Sequence, residues 1–103
     1  MVALLKSIVL LALASVSVAD MHMNAICANP VKNGFVYHGD ATTKACQAYK
    51  TRNTGRNKWD HCRDCYMNTA TPNHHCRSDS WSVGGVEWES YCQLYGAKRG
   101  LAK

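Results

Sequence analysis

The sequence predicts a small disulfide-rich α+β domain, with two helices packed on a short antiparallel sheet of three strands, or four. Three observations predict it: an apolar leader whose one charge is Lys6, six cysteines that all follow the leader, and segments of helical and strand period alternating between those cysteines.

The leader comes first. Met1 to Leu5 runs into Lys6, and the stretch from Ser7 to Val18 is apolar or small without a charge. Such a run is too short for a hydrocarbon core of roughly 30 Å, which takes about 20 apolar residues to span. Ser17 and Ala19 stand at the −3 and −1 positions of a cleavage site before Asp20, so residues 1–19 read as a secretory signal peptide. No later segment reads as membrane-spanning. Cleavage leaves about 84 residues, enough for one domain, with a net charge of about +4. This mature part has few Leu, Ile and Val, and a core that thin supplies only a few kcal/mol. Cys27, Cys46, Cys62, Cys65, Cys76 and Cys92 enter an oxidising compartment as an even set, so three disulfides are expected, each stabilising by roughly 2–4 kcal/mol.

Asp20 to Asn33, with Asn29-Pro30, reads as an irregular entry segment tied down by Cys27. Gly34 to Gly39 sets Phe35, Val36 and Tyr37 between glycines and predicts a strand. Ala41 to Arg52 predicts a helix capped by Asp40 or Thr42, with Cys46 and Tyr49 facing inward. Asn53 to Asn57 is a loop. Lys58 to Met67 shows no helical period and is expected to be extended. After a loop at Asn68 to Asn73, His74 to Val83 is expected to return as the second arm of a hairpin. Trp88, Tyr91, Cys92 and Tyr95 then recur at i, i+3, i+4 and i+7, which predicts a helix over Val86 to Tyr95 stopped by Gly96. Residues 20–96 form the expected domain. Residues 97–103 read as a mobile basic tail, with Lys98-Arg99 open to dibasic cleavage.

His61-Cys62-Arg63-Asp64-Cys65 and His74-His75-Cys76 hold half of the cysteines in one hairpin. If Cys62 and Cys65 lie on a strand, their Cα atoms are about 10 Å apart and cannot bridge each other. They would then reach Cys46 and Cys92 on the helices, leaving Cys27 for Cys76, although six cysteines permit about 15 pairings. Zinc held by Cys62, Cys65, His75 and Cys76 is the competing reading, disfavoured because export offers these thiols to disulfide chemistry. A redox Cys-x-x-Cys needs a helix N-terminus after its first cysteine, and Tyr66 to Pro72 is poor helix material. His38, His61, His74, His75, Glu87 and Glu89 could furnish acid–base groups, but no spacing singles them out. No catalytic residues and no cofactor are expected. The cations from Lys44 to Arg63 are dispersed among Asp60 and Asp64, so nucleic acid is not an expected partner. Trp59 and Trp81, flanked by polar residues, are the candidate partner contacts, with Arg56 and Lys58 beside them.

The leader, the helix word Ala45-Cys46-Gln47-Ala48-Tyr49-Lys50, the word Trp59-Asp60-His61-Cys62-Arg63-Asp64-Cys65, then His75-Cys76-Arg77-Ser78-Asp79 and Val86 to Cys92 together resemble small cysteine-rich secreted fungal proteins of the effector type. Some of these adopt a killer-toxin-like α/β sandwich, whose final strand the short basic tail does not supply. The resemblance implies extracellular release and action by binding. The expected function is therefore that of a secreted, effector-type binding protein, monomeric, acting on a host or competitor protein or glycan. A membrane-active toxin directed at anionic bilayers, and a small secreted hydrolase or nuclease, are the alternatives.

Overall fold

The computed structural model describes residues 21–103, and the signal peptide read in residues 1–19 lies outside the described residues. The chain runs β1 (Met21–His22), β2 (Asn24–Val31), β3 (Gly34–Tyr37), α1 (Gly39–Lys50), a 3-10 turn (Lys58–Asp60), β4 (Tyr66–Asn68), β5 (His75–Arg77), β6 (Val83–Gly84), α2 (Gly85–Leu94) and β7 (Arg99–Ala102). The α+β class and both helices stand as expected. The sheet is larger: five antiparallel strands, with β1 and β6 forming a separate two-stranded ribbon.

Strand β2 organises the sheet. Its first half pairs with β5 through Ala25 and Cys76, its second half with β3 through Ala28 and Tyr37, and its other edge takes β7 through Ile26 and Leu101. The polar, turn-prone residues of this segment, Asn29-Pro30 among them, predict irregular structure instead. Pro30 in fact lies past the last β7 pair, Ala28 with Arg99, where β2 has one neighbour and a missing N–H is tolerated.

The tail is the second correction. Residues 99–102 form β7 instead of a mobile end, and the register explains why a basic sequence can do so. Gly100 and Ala102 face α2, Leu101 lies opposite Ile26, and the charge of Arg99 is met by Glu89 at 3.1 Å. A Cβ on Gly100 would stand 2.6 Å from the Cα of Glu89, so only glycine lets α2 lie this close to the strand. The turn that delivers β7 uses Gly96 at φ 103°, the expected helix stop.

Both helices lie on the inner face of the sheet. The inward stripe of α1 is Ala41, Thr42, Ala45, Cys46 and Tyr49, and that of α2 is Trp88 and Cys92, all buried. His38 supplies the α1 cap in place of Asp40 or Thr42, its Nδ1 accepting from the Ala41 N–H at 3.1 Å. Thr42 instead turns inward, where its hydroxyl donates to the His38 carbonyl and accepts from the Cys27 N–H. Trp88 donates its indole N–H to the Ile26 carbonyl at 2.8 Å, satisfying its one polar atom inside the core.

The disulfides are Cys27–Cys92, Cys46–Cys76 and Cys62–Cys65. Each helix is thus joined once to the sheet, α2 to β2 and α1 to β5. The pairing of Cys62 and Cys65 with helix cysteines, and of Cys27 with Cys76, is overturned for one reason: Lys58 to Cys65 is not extended. It forms a 3-10 turn and then a tight turn over Arg63 and Asp64, in which the Cys65 N–H donates to the Cys62 carbonyl and the two Cα atoms close to 5.4 Å. The same pairing overturns the zinc alternative, since Cys62, Cys65 and Cys76 all carry their sulfur in a disulfide. The expected hairpin does form, shortened to β4 and β5, with Met67 opposite Cys76.

Candidate functional site

The residues between α1 and β4, and those between β5 and β6, have little regular structure, yet they are held firmly. Two carboxylates do this. Asp60 accepts from the Thr54 hydroxyl at 2.7 Å and from the Asn57 N–H at 2.9 Å, which closes the loop of residues 54–60 around it. Asp64, inside the Cys62–Cys65 turn, accepts from the Ser78 hydroxyl and the Ser80 N–H, both at 2.8 Å. It thereby ties the disulfide turn to the segment 78–82, whose Ser80 and Ser82 hydroxyls continue the chain of hydrogen bonds at 2.7 Å.

Both carboxylates are held ionised below the usual aspartate range. For Asp60 the hydrogen bonds from Thr54 and Asn57 lower the pKa and outweigh the opposing effect of burial. For Asp64 burial is the largest single influence and acts upward, but the bonds from Ser78 and Ser80 together exceed it. Each acid is spent on internal donors. The cations around them, Arg56, Lys58 and Arg63, are exposed, so the surface presents positive charge to solvent.

Tyr49 connects this surface to the core. Its hydroxyl donates to the Trp59 carbonyl at 2.7 Å and accepts from the Gly84 N–H at 3.0 Å, and burial pushes its pKa up to about 12. The Arg52 guanidinium lies over the rings of both Tyr49 and Tyr91, 5.5 and 5.6 Å from their centroids, and hydrogen-bonds the Tyr91 hydroxyl. The end of α1, the middle of α2 and the 3-10 turn are thus braced at one point.

Trp59 is 38% exposed and Trp81 46% exposed. Arg56 and Lys58 are exposed in the same stretch of chain as Trp59. Trp81 has a φ of 58°, a left-handed backbone that a bulky side chain occupies at a cost of about 1–2 kcal/mol. Its N–H donates to the Ser78 carbonyl, and the following Ser82 N–H donates to the Ser78 hydroxyl, which fix that conformation. Sequence reading found the tryptophans but missed Asp64 and the Ser78–Ser82 hydroxyls that hold Trp81. Serines at 78, 80 and 82 were the available signal.

The remaining candidates are dispersed. His38 caps α1, His75 lies on β5 with His74 just before it, Glu89 pairs with Arg99, and Glu87 lies against Gly84. Among the described residues no three His, Cys, Asp or Glu side chains are placed to hold a metal ion, and no helix is long and apolar enough to cross a membrane.

Residues 20–101 match the family model of biotrophy-associated secreted protein 4, a match that starts at the residue after the expected cleavage point. No curated protein and no solved structure matches the chain. With the family match covering the whole of the disulfide-linked domain but its last two residues, the chain belongs to the biotrophy-associated secreted protein 4 family and is a secreted, cysteine-rich, effector-like protein.

Proposed function

We propose that this secreted protein acts by binding a host or competitor target through the surface that carries Trp59 and Trp81, with Arg56 and Lys58 steering an anionic partner onto it. The observation that carries this reading is Trp81: a large apolar side chain half exposed to solvent on a strained backbone, which the network of Asp64 and the serines maintains. The contacts of the half-buried ring do no more than offset its backbone cost, whereas an aromatic anchor beside uncompensated cations is what a binding hot spot uses. The partner is a protein or glycan, engaged by a monomer, and the two-layer arrangement of helices on one sheet serves as a scaffold of the toxin-like kind adapted to recognition. The test compares cross-linked or affinity-captured partners of the native protein with those of a Trp59→Ser/Trp81→Gly variant, using host extracellular material. Loss of a defined partner in the variant supports the reading, and an identical partner set overturns it.

A second reading is favoured by one specific feature. Val31, Phe35 and Val36 are 50–55% exposed on the β2–β3 hairpin, next to Lys32, and the free edge of β3 bears no charge. These residues suit the interface of an anionic bilayer. Dye release from anionic vesicles at low protein concentration would favour this membrane activity, and intact vesicles would leave the tryptophan surface as the site of action.

A further inference from the structure

The helices cover only the inner face of the sheet. On the outer face Asn24 lies opposite Arg77 of β5, Lys103 continues the β7 ladder beside Asn24, and Ile26 lies opposite Leu101. Together with His75 these side chains line a cavity of about 470 Å³, within the range of small-molecule sites. Its chemistry is asymmetric. Ile26 and Leu101 give it an apolar floor, while Arg77 and the Lys103 ammonium supply positive charge and His75 a ring nitrogen. No carboxylate side chain lines it, and the Lys103 carboxyl oxygen is taken up by the Met23 and Asn24 N–H groups. Asp79 engages Nε of Arg77 at 2.8 Å from outside, which uses one of the guanidinium's five N–H donors.

The second observation is Asn24. Asn24 lines the cavity, and its Oδ1, shielded from solvent, has no hydrogen-bond partner, so a turn of the amide toward the cavity would present it to a ligand. A buried acceptor left unmet costs free energy that a donor on a bound molecule would recover. We propose that this cavity binds a small amphipathic carboxylate that carries an N–H, of the N-acyl amino acid kind. The apolar part lies on Ile26 and Leu101, the N–H meets Asn24 Oδ1, and the carboxylate is held by Arg77 with Lys103. The fork of Arg77 distinguishes a carboxylate from a neutral group.

N-decanoylglycine, its methyl ester and plain decanoate separate the contributions, with affinity measured by calorimetry and location by backbone amide NMR shifts. Saturable one-to-one binding of N-decanoylglycine is expected, with shifts at Ile26, His75, Arg77 and Leu101. The ester, lacking charge, should bind about tenfold more weakly, and decanoate, lacking the N–H, several-fold more weakly. Arg77→Gln should reduce affinity about tenfold and Arg77→Lys less, while Asn24→Ala should abolish the preference for N-decanoylglycine over decanoate. Amide spectra of each variant report whether it folds. Trp59→Ser/Trp81→Gly should leave the affinity unchanged, so this site and the tryptophan surface fail or stand separately. Equal binding of acid and ester, shifts confined to Val31, Phe35 and Val36, or no saturation would each overturn the site. Undiminished binding of N-decanoylglycine to the Arg77→Gln variant would overturn it as well, because the anion would then be held elsewhere.

Discussion

The layer formed by α1, α2 and the sheet and the surface formed by residues 54–65 and 78–82 hold their shape by different means. In the first, covalent links bridge elements far apart in sequence: Cys27 to Cys92 spans 65 positions and Cys46 to Cys76 spans 30. In the second, the disulfide closes only 3 positions, and two carboxylates collect donors from neighbouring turns. A small secreted chain can thus order a loop surface with little regular structure by adding charged acceptors to the few buried residues beneath it. The difference has a thermodynamic signature. Long links constrain the unfolded chain strongly, short links constrain it weakly, and hydrogen-bonded carboxylates respond to pH.

The largest effect follows from the loop lengths. On the chain-entropy argument, removing Cys27–Cys92 as a double alanine variant should destabilise by about 4 kcal/mol, and removing Cys62–Cys65 by about 2 kcal/mol. Unfolding in urea, followed by circular dichroism, measures both. If the short link matters as much as the long one, the two regions are not held differently. Cys27, Cys92, Cys62 and Cys65 are all buried, so the packing defect left by alanine adds to both values and the loop lengths carry the difference.

The next effect is acid sensitivity confined to the second region. The folded pKa values of Asp60 and Asp64 are lowered, so their contribution to stability is complete above the unfolded aspartate value of about 4 and is lost as pH falls through the folded values. Tryptophan fluorescence of Trp59 and Trp81 should therefore change below about pH 4 while the far-ultraviolet signal of the helices persists. Asp64→Asn should cost about 1 kcal/mol at pH 7 and remove part of that pH dependence. A fluorescence change coincident with global unfolding would show one cooperative unit rather than two.

Much of the first region was legible in the residues. The stripe Trp88, Tyr91, Cys92 and Tyr95 located α2, and Cys46 with Tyr49 gave the inner face of α1, because helical period reports burial directly. Strand β7 was not legible: its inward residues are Gly100 and Ala102, small because α2 lies close, so the alternation that marks a strand carries almost no apolar signal. The second region was legible only in its exposed tips. Trp59 and Trp81 stood out by being apolar among polar neighbours, but the geometry of Cys62–Cys65 rests on a turn that Asp64 completes with serines 14 and 16 residues away. Local period cannot report a contact of that kind. An extended reading of residues 58–67 made the short disulfide impossible, and that single assumption propagated into every pairing.

The smallest predicted change separates the two roles of Trp81. In Trp81→Gly the left-handed backbone becomes favourable, which should recover about 1 kcal/mol, while the lost contacts of a half-exposed ring take back a similar amount. Net stability should then stay within about 1 kcal/mol of the native protein in urea unfolding. Partner capture should fall sharply all the same, because the anchor is gone although the turn keeps its shape. Trp81→Ala supplies the contrast, since it removes the ring but retains the strain, and it should be the less stable of the two. If glycine instead proves clearly destabilising, the ring is holding the turn of residues 78–82 in place, and Trp81 belongs to the architecture of the surface rather than to its contacts.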